Sequence, residues 1–234
     1  MLYCAIIGDI IGSRKLKDRQ MVQREFIAMA KEASNLYKAE IQSPFTVTIG
    51  DEFQALLKSL VVIPNIIEHV VQRMAPVELV FGLGIGPIHT DINPKMAIGM
   101  DGPAFHLARQ ALLQAKKKKP RIIYHSEMIG VDMINALNYF IESCEARRTK
   151  RQKEVLGYVS QNYTQEAIAK ALGITQQSVH DIISASYLPE IAEAKRTIAN
   201  YLIGIAKADG ISKKDQLQEN RLITGLKTCN DKYR

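Results

Sequence analysis

One stretch of the sequence decides the fold: Phe45-Thr46-Val47-Thr48-Ile49-Gly50-Asp51-Glu52-Phe53-Gln54-Ala55-Leu56-Leu57. Its first part alternates apolar residues with threonines, which is the period of a strand with one buried face. Gly50 and Asp51 then favour a tight turn, and a second apolar run leads away from it. The stretch therefore predicts a β-hairpin with Asp51 and Glu52 at its tip, where a ligand can reach them. A hairpin tip that carries two acids without any function is the alternative.

A third acidic residue, Asp9, follows another predicted strand. The run Leu2–Ile7 is almost continuously apolar, which is typical of a central strand buried on both faces. Asp9 lies just after it, ahead of a glycine-containing loop and a helix. If this strand is next to the hairpin, Asp9 and Asp51 meet. Two carboxylates at one point commonly hold Mg²⁺ beside a phosphate.

The composition indicates an ordinary folded protein of one or two domains. The chain has 234 residues, of which 47% are hydrophobic and 24% charged. No apolar run reaches the length of a membrane span, and the N-terminal apolar run is too short for a secretion signal. The three cysteines are far apart in sequence, which fits free thiols in a reducing compartment. We therefore expect a cytoplasmic protein that does not enter the membrane.

Positive charge is concentrated in the second part of the chain. The net charge is +7, with 16 basic and 14 acidic residues up to Cys144 and 15 and 10 after it. This asymmetry suggests a polyanionic partner for the C-terminal part, although a solvated basic surface explains the charge nearly as well.

The hydrophobic periodicity predicts the order β-α-β-β-α-β-α-β-α over the first part of the chain. This is the α+β, ferredoxin-like split βαβ arrangement, in which the first strand lies in the middle of the sheet, next to the hairpin. The predicted strand over residues 78–88 carries Gly82, Gly84 and Gly86 on one face, so another chain segment or a ligand must approach it closely. The next predicted helix ends in the lysine run Lys116–Lys119. The preferred interpretation is that these cations stabilise the C-terminal end of the helix dipole, and the second is that they contact a phosphate.

Segments within residues 1–126 resemble, in the same order, those of palm-type nucleotidyl domains: class III nucleotide cyclases, GGDEF cyclases and CRISPR-associated palms. They are Ile6-Ile7-Gly8-Asp9-Ile10-Ile11-Gly12, Thr48-Ile49-Gly50-Asp51-Glu52-Phe53, Phe81-Gly82-Leu83-Gly84-Ile85-Gly86-Pro87 and Leu107-Ala108-Arg109.

The resemblance implies a nucleotide site with a divalent metal. Its metal ligands would be Asp9, the Ile10 carbonyl, Asp51 and Glu52, with Mg²⁺ or Mn²⁺ as the ion. Its phosphate contacts would come from the amides of Ile11, Gly12, Ser13 and Arg14, at a helix N-terminus, and from Arg109. Arg14 and Arg109 are the candidate catalytic residues. Phe105 replaces an asparagine of the cyclases and Thr46 their purine-selecting lysine, so the nucleotide and its turnover stay open.

The layout of the whole chain also resembles the SatD family. The matching parts are Gly8-Asp9-Ile10-Ile11 with Ser13-Arg14, Gly50-Asp51-Glu52-Phe53-Gln54, and Met100-Asp101-Gly102-Pro103-Ala104. Membership of that family implies little about the biochemical activity.

Two short helices are predicted within residues 164–183. Thr164 caps the first, Gly173 makes the turn and Thr175 caps the second. This helix-turn-helix pattern resembles the DNA-binding helices of sigma-factor and LuxR-type regulators.

In such a module the second helix enters the major groove, and glutamine can pair with adenine edges. The candidate DNA-binding residues are Lys170, Gln176, Gln177, Ser178 and His180. A helical hairpin used only for packing or dimerisation is the alternative.

These observations predict a palm/nucleotide cyclase-like domain over residues 1–145 and an all-α helix-turn-helix domain over residues 146–234. The apolar stripe that starts at Ile191 fits a dimer face or a core equally well, and the tail beyond residue 210 allows one more helix. Our preferred hypothesis is a homodimeric DNA-binding regulator whose palm-like domain binds a nucleotide or cyclic nucleotide with a divalent metal. The alternative is an enzyme, a nucleotidyl cyclase or oligonucleotide synthetase, with an accessory helix-turn-helix module.

Overall fold

The computed structural model describes residues 1–209 as a mixed five-stranded sheet with helices on both faces, followed by a group of short helices. The strands are β1 (Tyr3–Ile10), β2 (Ile41–Ile49), β3 (Glu52–Leu57), β4 (Leu79–Gly86) and β5 (Ile122–Ser126). The helices are α1 (Arg19–Leu36), α2 (Ile63–Met74), α3 (Pro103–Lys117), α4 (Val131–Ala146), α5 (Lys150–Ser160), α6 (Gln165–Leu172), α7 (Gln176–Ser184) and α8 (Leu188–Ala208). In residues 1–209, no helix combines the length and apolar character that crossing a membrane requires.

The sheet has the strand order β2-β3-β1-β4-β5. The central strand β1 pairs antiparallel with β3 and with β4, while β4 and β5 are parallel. The α+β class and the central position of β1 beside the hairpin were predicted from the sequence and are confirmed. The register places Asp9 of β1 directly opposite Glu52 of β3.

The larger core lies on the sheet face covered by α1, α2, α4 and α8. At its centre Phe53 contacts Phe26 and Phe81, with ring centroids 5.4 and 6.2 Å apart. A side chain at Gly8 would overlap the Phe53 ring, so this position in β1 requires glycine. The aromatic packing therefore brings the end of β1 against β3 just before Asp9.

On the opposite face, α3 lies in direct backbone contact with β4. A Cβ atom at Gly82 would overlap the carbonyl oxygen of Ala108, and one at Gly84 would overlap that of Ala104. The segment predicted to approach the glycine face is thus a chain segment, helix α3, whose buried side consists mainly of alanines. Small residues on both partners fix the distance between the helix and the sheet, and with it the position of every side chain on α3.

The short helices α5, α6 and α7 enclose a separate small core that includes Val155, Ile168 and Val179. The side chains of Thr164 and Thr175 accept hydrogen bonds from the backbone amides of Ala167 and Ser178, so α6 and α7 begin at the predicted caps. Gly173 ends α6 with φ 64°, a left-handed conformation that suits glycine.

Helix α8 packs back onto the large core. Its apolar stripe lies in the same cluster as α1, α2 and the sheet, and includes Ile191, Ile198 and Leu202. Of the two interpretations of this stripe, the structure shows the core and not a dimer face. The division at residues 145 and 146 stays a prediction, and the packing of α8 argues against assigning that helix to a second domain. The predicted further helix beyond residue 210 lies outside the described residues.

The loop after β4 packs on the edge strand β2. The Ala97 amide donates to the Thr46 hydroxyl at 2.9 Å, and the Ser43 hydroxyl donates to the Asn93 carbonyl at 2.6 Å. The Thr46 hydroxyl is therefore engaged in holding this loop.

Candidate functional site

Three acidic residues, Asp9, Asp51 and Glu52, lie where β1 ends and β3 begins, and all three line one cleft. Asp9 is the cross-strand partner of Glu52, and side chains of directly opposed residues in a sheet point to the same face. The Ile10 amide donates to the Asp51 carbonyl at 3.0 Å, which holds the hairpin tip against β1. The strand register and this backbone contact therefore place Asp9, Asp51 and Glu52 at the same end of the sheet; that Asp9 and Asp51 hold one metal ion stays a prediction.

These acids line a cleft of about 750 Å³. The same cleft is lined by seven basic residues: Arg14, Lys15, Lys116, Lys117, Lys118, Lys119 and Arg121. Three acids against seven cations leave an excess of positive charge, which favours a polyanionic ligand.

Asp9 is mostly buried and paired with a cation. Its Oδ2 atom accepts a hydrogen bond from Lys116 Nζ at 2.7 Å, and its side chain is 13% exposed. Burial raises the pKa of Asp9, Lys116 lowers it in part, and the neighbouring carboxylates of Asp51 and Glu52 raise it further. The net effect is a raised pKa of Asp9, so the folded protein holds the charged carboxylate at a cost in free energy.

Glu52 forms a two-pronged ion pair with Arg109 of α3. The distances from Nη1 to Oε2 and from Nη2 to Oε1 are 2.6 and 2.8 Å, and the Glu52 side chain is only 9% exposed. The hydrogen bond to Glu52 raises the pKa of Arg109. Arg109 is not part of the cleft wall. Its predicted phosphate contact and the predicted metal contact of Glu52 stay predictions.

The loop after β1 differs from the helix N-terminus that the resemblance implied. Ser13–Lys15 form a single 3₁₀ turn, and α1 begins only at Arg19, capped by Asp18. The Ile11 amide donates to the Glu78 carbonyl at 2.9 Å, so it is not available to a phosphate. Ile10, Ile11, Gly12, Ser13 and Arg14 nevertheless all line the cleft. The Ser13 hydroxyl donates to Asp51 Oδ2 at 2.5 Å and so orients that carboxylate.

The lysine run at the end of α3 forms one wall of the cleft. Lys119 contacts Glu142 at 3.2 Å, and Arg121 contacts Glu78 at 2.9 Å. Within residues 1–209, four cations of the cleft have no ion-pair partner: Arg14, Lys15, Lys117 and Lys118. From the sequence, the lysine run was expected mainly to stabilise the end of the helix. Its position in the cleft favours contact with an anion.

A magnesium-type ion fits this set of donors. In the described part of the chain, no group of three or more His, Cys, Asp or Glu side chains is placed so that it could hold a metal ion. Mg²⁺ is usually bound by one or two carboxylates and completes its octahedron with waters and substrate phosphates. Asp9 and Asp51 both line the cleft beside its lysines, and their carboxylates offer two hard oxygen donors.

The five predicted DNA contacts lie together on α6 and α7. Lys170, Gln176 and Gln177 are exposed, whereas Ser178 and His180 are half-buried. Gln177 Nε2 donates to Asp181 Oδ1 at 2.9 Å, and the Ser178 hydroxyl is hydrogen-bonded to that of Thr175. Two of the five side chains therefore already have local partners.

The fold and cleft define a mixed α/β protein with acids and lysines gathered at one end of its central strands. The chain belongs to the SatD family, whose model matches residues 3–203.

No curated protein matches the sequence. Among solved structures, a bacterial light-regulated adenylyl cyclase is similar at 14% identity and a TM-score of 0.42, covering 58% of this chain and 79% of the other. The catalytic core of a rhodopsin-guanylyl cyclase with converted specificity, in complex with ATPαS, has 14% identity and a TM-score of 0.35, covering 47% and 70%.

Proposed function

We propose that the protein binds a nucleoside triphosphate with Mg²⁺ or Mn²⁺ in the acid-and-lysine cleft and transfers its nucleotidyl group, as a nucleotidyl cyclase or an oligonucleotide synthetase does. A ribose hydroxyl attacks the α-phosphorus, and pyrophosphate leaves. The observation that carries this proposal is the meeting of Asp9 and Asp51 with a wall of lysines in one cleft. The sequence segments that resemble palm-type nucleotidyl domains support it independently.

Each group has a separate task in this proposal. Asp9 and Asp51 hold the metal, which, when bound, withdraws charge from the phosphoryl oxygens. Lys117, Lys118 and Lys15 neutralise the remaining phosphate charge. Lys116, Lys119 and Arg121 are paired with acids, which leaves four cations of the cleft without an ion-pair partner within residues 1–209 and available to phosphates.

Release of pyrophosphate tests the proposal directly. The wild type, Asp51→Asn and the exposed control Asp91→Asn are assayed in parallel. Each is incubated with each of the four nucleoside triphosphates and Mg²⁺ or Mn²⁺. We expect pyrophosphate from at least one nucleotide with the wild type and the control, and none with Asp51→Asn. Equal release from wild type and Asp51→Asn rejects this site.

DNA binding is a second candidate function, supported by a different observation. Helices α6 and α7 are individually capped, turn at Gly173 and present Lys170, Gln176 and Gln177 to solvent. Lysine contacts to phosphates supply affinity, and glutamine contacts to bases supply specificity. Retardation of genomic fragments in a gel at low salt tests this candidate, and fragments that migrate unretarded reject it.

Both candidates can hold in one molecule. In a regulator, nucleotide and metal in the cleft would bias DNA binding by α6 and α7, and α8 would connect the two because it follows α7 and packs in the large core. A homodimer and a cytoplasmic location stay predictions.

A further inference from the structure

We propose that Lys116 is an internal counter-ion of the metal site and changes its partner when the metal binds. In the metal-free protein it neutralises Asp9. A divalent cation displaces it, and the freed ammonium then joins the cations that surround the phosphates. Metal and polyphosphate binding thereby strengthen each other. This inference rests on the proposed function of the same cleft and specifies how its two ligands are coupled.

The competition follows from the contacts of Asp9. Its Oδ2 atom receives Lys116 Nζ at 2.7 Å, and its carboxylate also experiences the charges of Asp51 and Glu52. Three carboxylates this close require cations, because like charges in a partly buried site repel each other. A divalent cation bound by Asp9 would compete with the Lys116 ammonium, because both are attracted to the charge of the same carboxylate.

Helix α3 determines which positions the freed Lys116 ammonium can reach. Lys116 lies in the last turn of this helix, 39% exposed, and lines the same cleft as Lys117 and Lys118. The contact of α3 with Gly82 and Gly84 holds the helix in place, so only the flexible lysine side chain has to move. Rotation away from Asp9 keeps the ammonium at the wall of the cleft, where phosphates would lie.

The ion pair between Arg109 and Glu52 is not expected to exchange its partner in this way. Arg109 contacts Glu52 through two hydrogen bonds and is not part of the cleft wall. A two-pronged guanidinium pair is more rigid than a single ammonium contact. The structure thus distinguishes one fixed cation, Arg109, from one exchangeable cation, Lys116.

Calorimetric titration of the full chain with Mn²⁺ alone tests the displacement. Wild type is compared with Lys116→Gln and with Lys118→Gln, a cleft lysine that has no ion-pair partner within residues 1–209. We expect Lys116→Gln to bind Mn²⁺ about three- to tenfold more tightly, because the competing cation is gone. Lys118→Gln should change the affinity by less than about twofold, and Lys116→Arg, which keeps a cation, should stay near the wild type.

A second titration, with inorganic tripolyphosphate at saturating Mn²⁺, tests the new partner. It avoids any dependence on the nucleotide base. Both Lys116→Gln and Lys118→Gln should bind it about three- to tenfold more weakly than the wild type. Tighter metal binding together with weaker polyphosphate binding in one variant is the signature of a cation that changes partner.

The outcomes separate this inference from the proposed function. If the wild type binds Mn²⁺ through Asp9 but Lys116→Gln binds it no more tightly, Lys116 is not the competitor and the inference is overturned. If the wild type does not bind Mn²⁺, or if Asp9→Asn binds it equally well, the proposed function fails and the inference fails with it.

Discussion

Lys116 Nζ and Asp9 Oδ2 are 2.7 Å apart although 107 residues separate them in the sequence. The contact joins the end of β1 to the end of α3 and lies beside a second pair, Arg109 with Glu52, that joins the same helix to β3. Helix α3 thus supplies a cation to each of two acids at the rim of the cleft. The predictions below follow from this arrangement and from the packing that produces it.

The pair of Arg109 and Glu52 should contribute to stability. Arg109→Ala leaves a carboxylate that is 9% exposed without its cation, and we expect the free energy of unfolding to fall by about 1–3 kcal/mol. Glu52→Gln in the same chain removes the orphaned charge and should recover most of the loss. A double-mutant cycle from urea denaturation measures this. Additive effects of the two changes would show that the pair contributes nothing.

The elevated pKa of Asp9 predicts a pH-dependent stability. Folding raises this pKa, so the folded chain binds the proton more tightly than the unfolded chain. The contribution of Asp9 to stability is then most favourable below the unfolded pKa and is lost as the pH rises through the folded pKa. Asp9→Asn, which stays neutral, should therefore raise the free energy of unfolding of the metal-free protein at pH 7 by roughly 0.5–1 kcal/mol after allowance for solvent screening.

Measurement of the free energy of unfolding at lower pH checks the prediction for Asp9→Asn. The difference between Asp9→Asn and wild type should shrink toward pH 4, while the exposed control Asp91→Asn should match the wild type at every pH. A variant that is less stable than the wild type at pH 7 would mean that the Lys116 contact outweighs the cost of burying Asp9.

The glycine face of β4 should not tolerate a side chain. Gly84→Ala forces a methyl group into the backbone of α3 at Ala104, and we expect the free energy of unfolding to fall by about 1–3 kcal/mol or more. Gly204→Ala in α8 is the matched control: nothing lies within 4 Å of its Cβ position, and alanine should stabilise the helix by about 0.5–1 kcal/mol. Thermal unfolding of both variants distinguishes a packing requirement from a general effect of replacing glycine.

Lys170 should affect the salt dependence of DNA binding. If its ammonium contacts a phosphate, Lys170→Ala lowers the slope of log affinity against log salt by about 1 without changing the preferred sequence. Fluorescence anisotropy with a labelled genomic fragment measures the slope, and Gln110→Ala, exposed on α3, serves as control. An unchanged slope would remove Lys170 from the interface.

Local features of the site could be predicted from the sequence. The alternation in β2, the apolar run of β1 and the caps of α6 and α7 depend on neighbouring residues, so the hairpin and the helix starts appear in the structure where the pattern indicated. The convergence of Asp9 and Asp51 followed from one topological assumption, that β1 lies beside the hairpin.

Other features depend on long-range packing and could not be predicted. Lys116 pairs with Asp9, and Arg109 pairs with Glu52. Which cation reaches which acid depends on how closely α3 packs on Gly82 and Gly84. The stripe on α8 is amphipathic whether it faces a core or a second chain. The turn at Ser13–Lys15 is too short to leave a periodic signal, and the helix N-terminus expected beside Ile11–Arg14 came only from the resemblance to palm-type domains.

The most direct test of the account is the location of a metal. Crystals grown with Mn²⁺ and tripolyphosphate, measured at the manganese absorption edge, should show an anomalous peak about 2.1 Å from carboxylate oxygens of both Asp9 and Asp51, with Lys116 turned toward the phosphates. A peak elsewhere, or no peak while Lys116 still contacts Asp9, would contradict the metal-dependent nucleotide site.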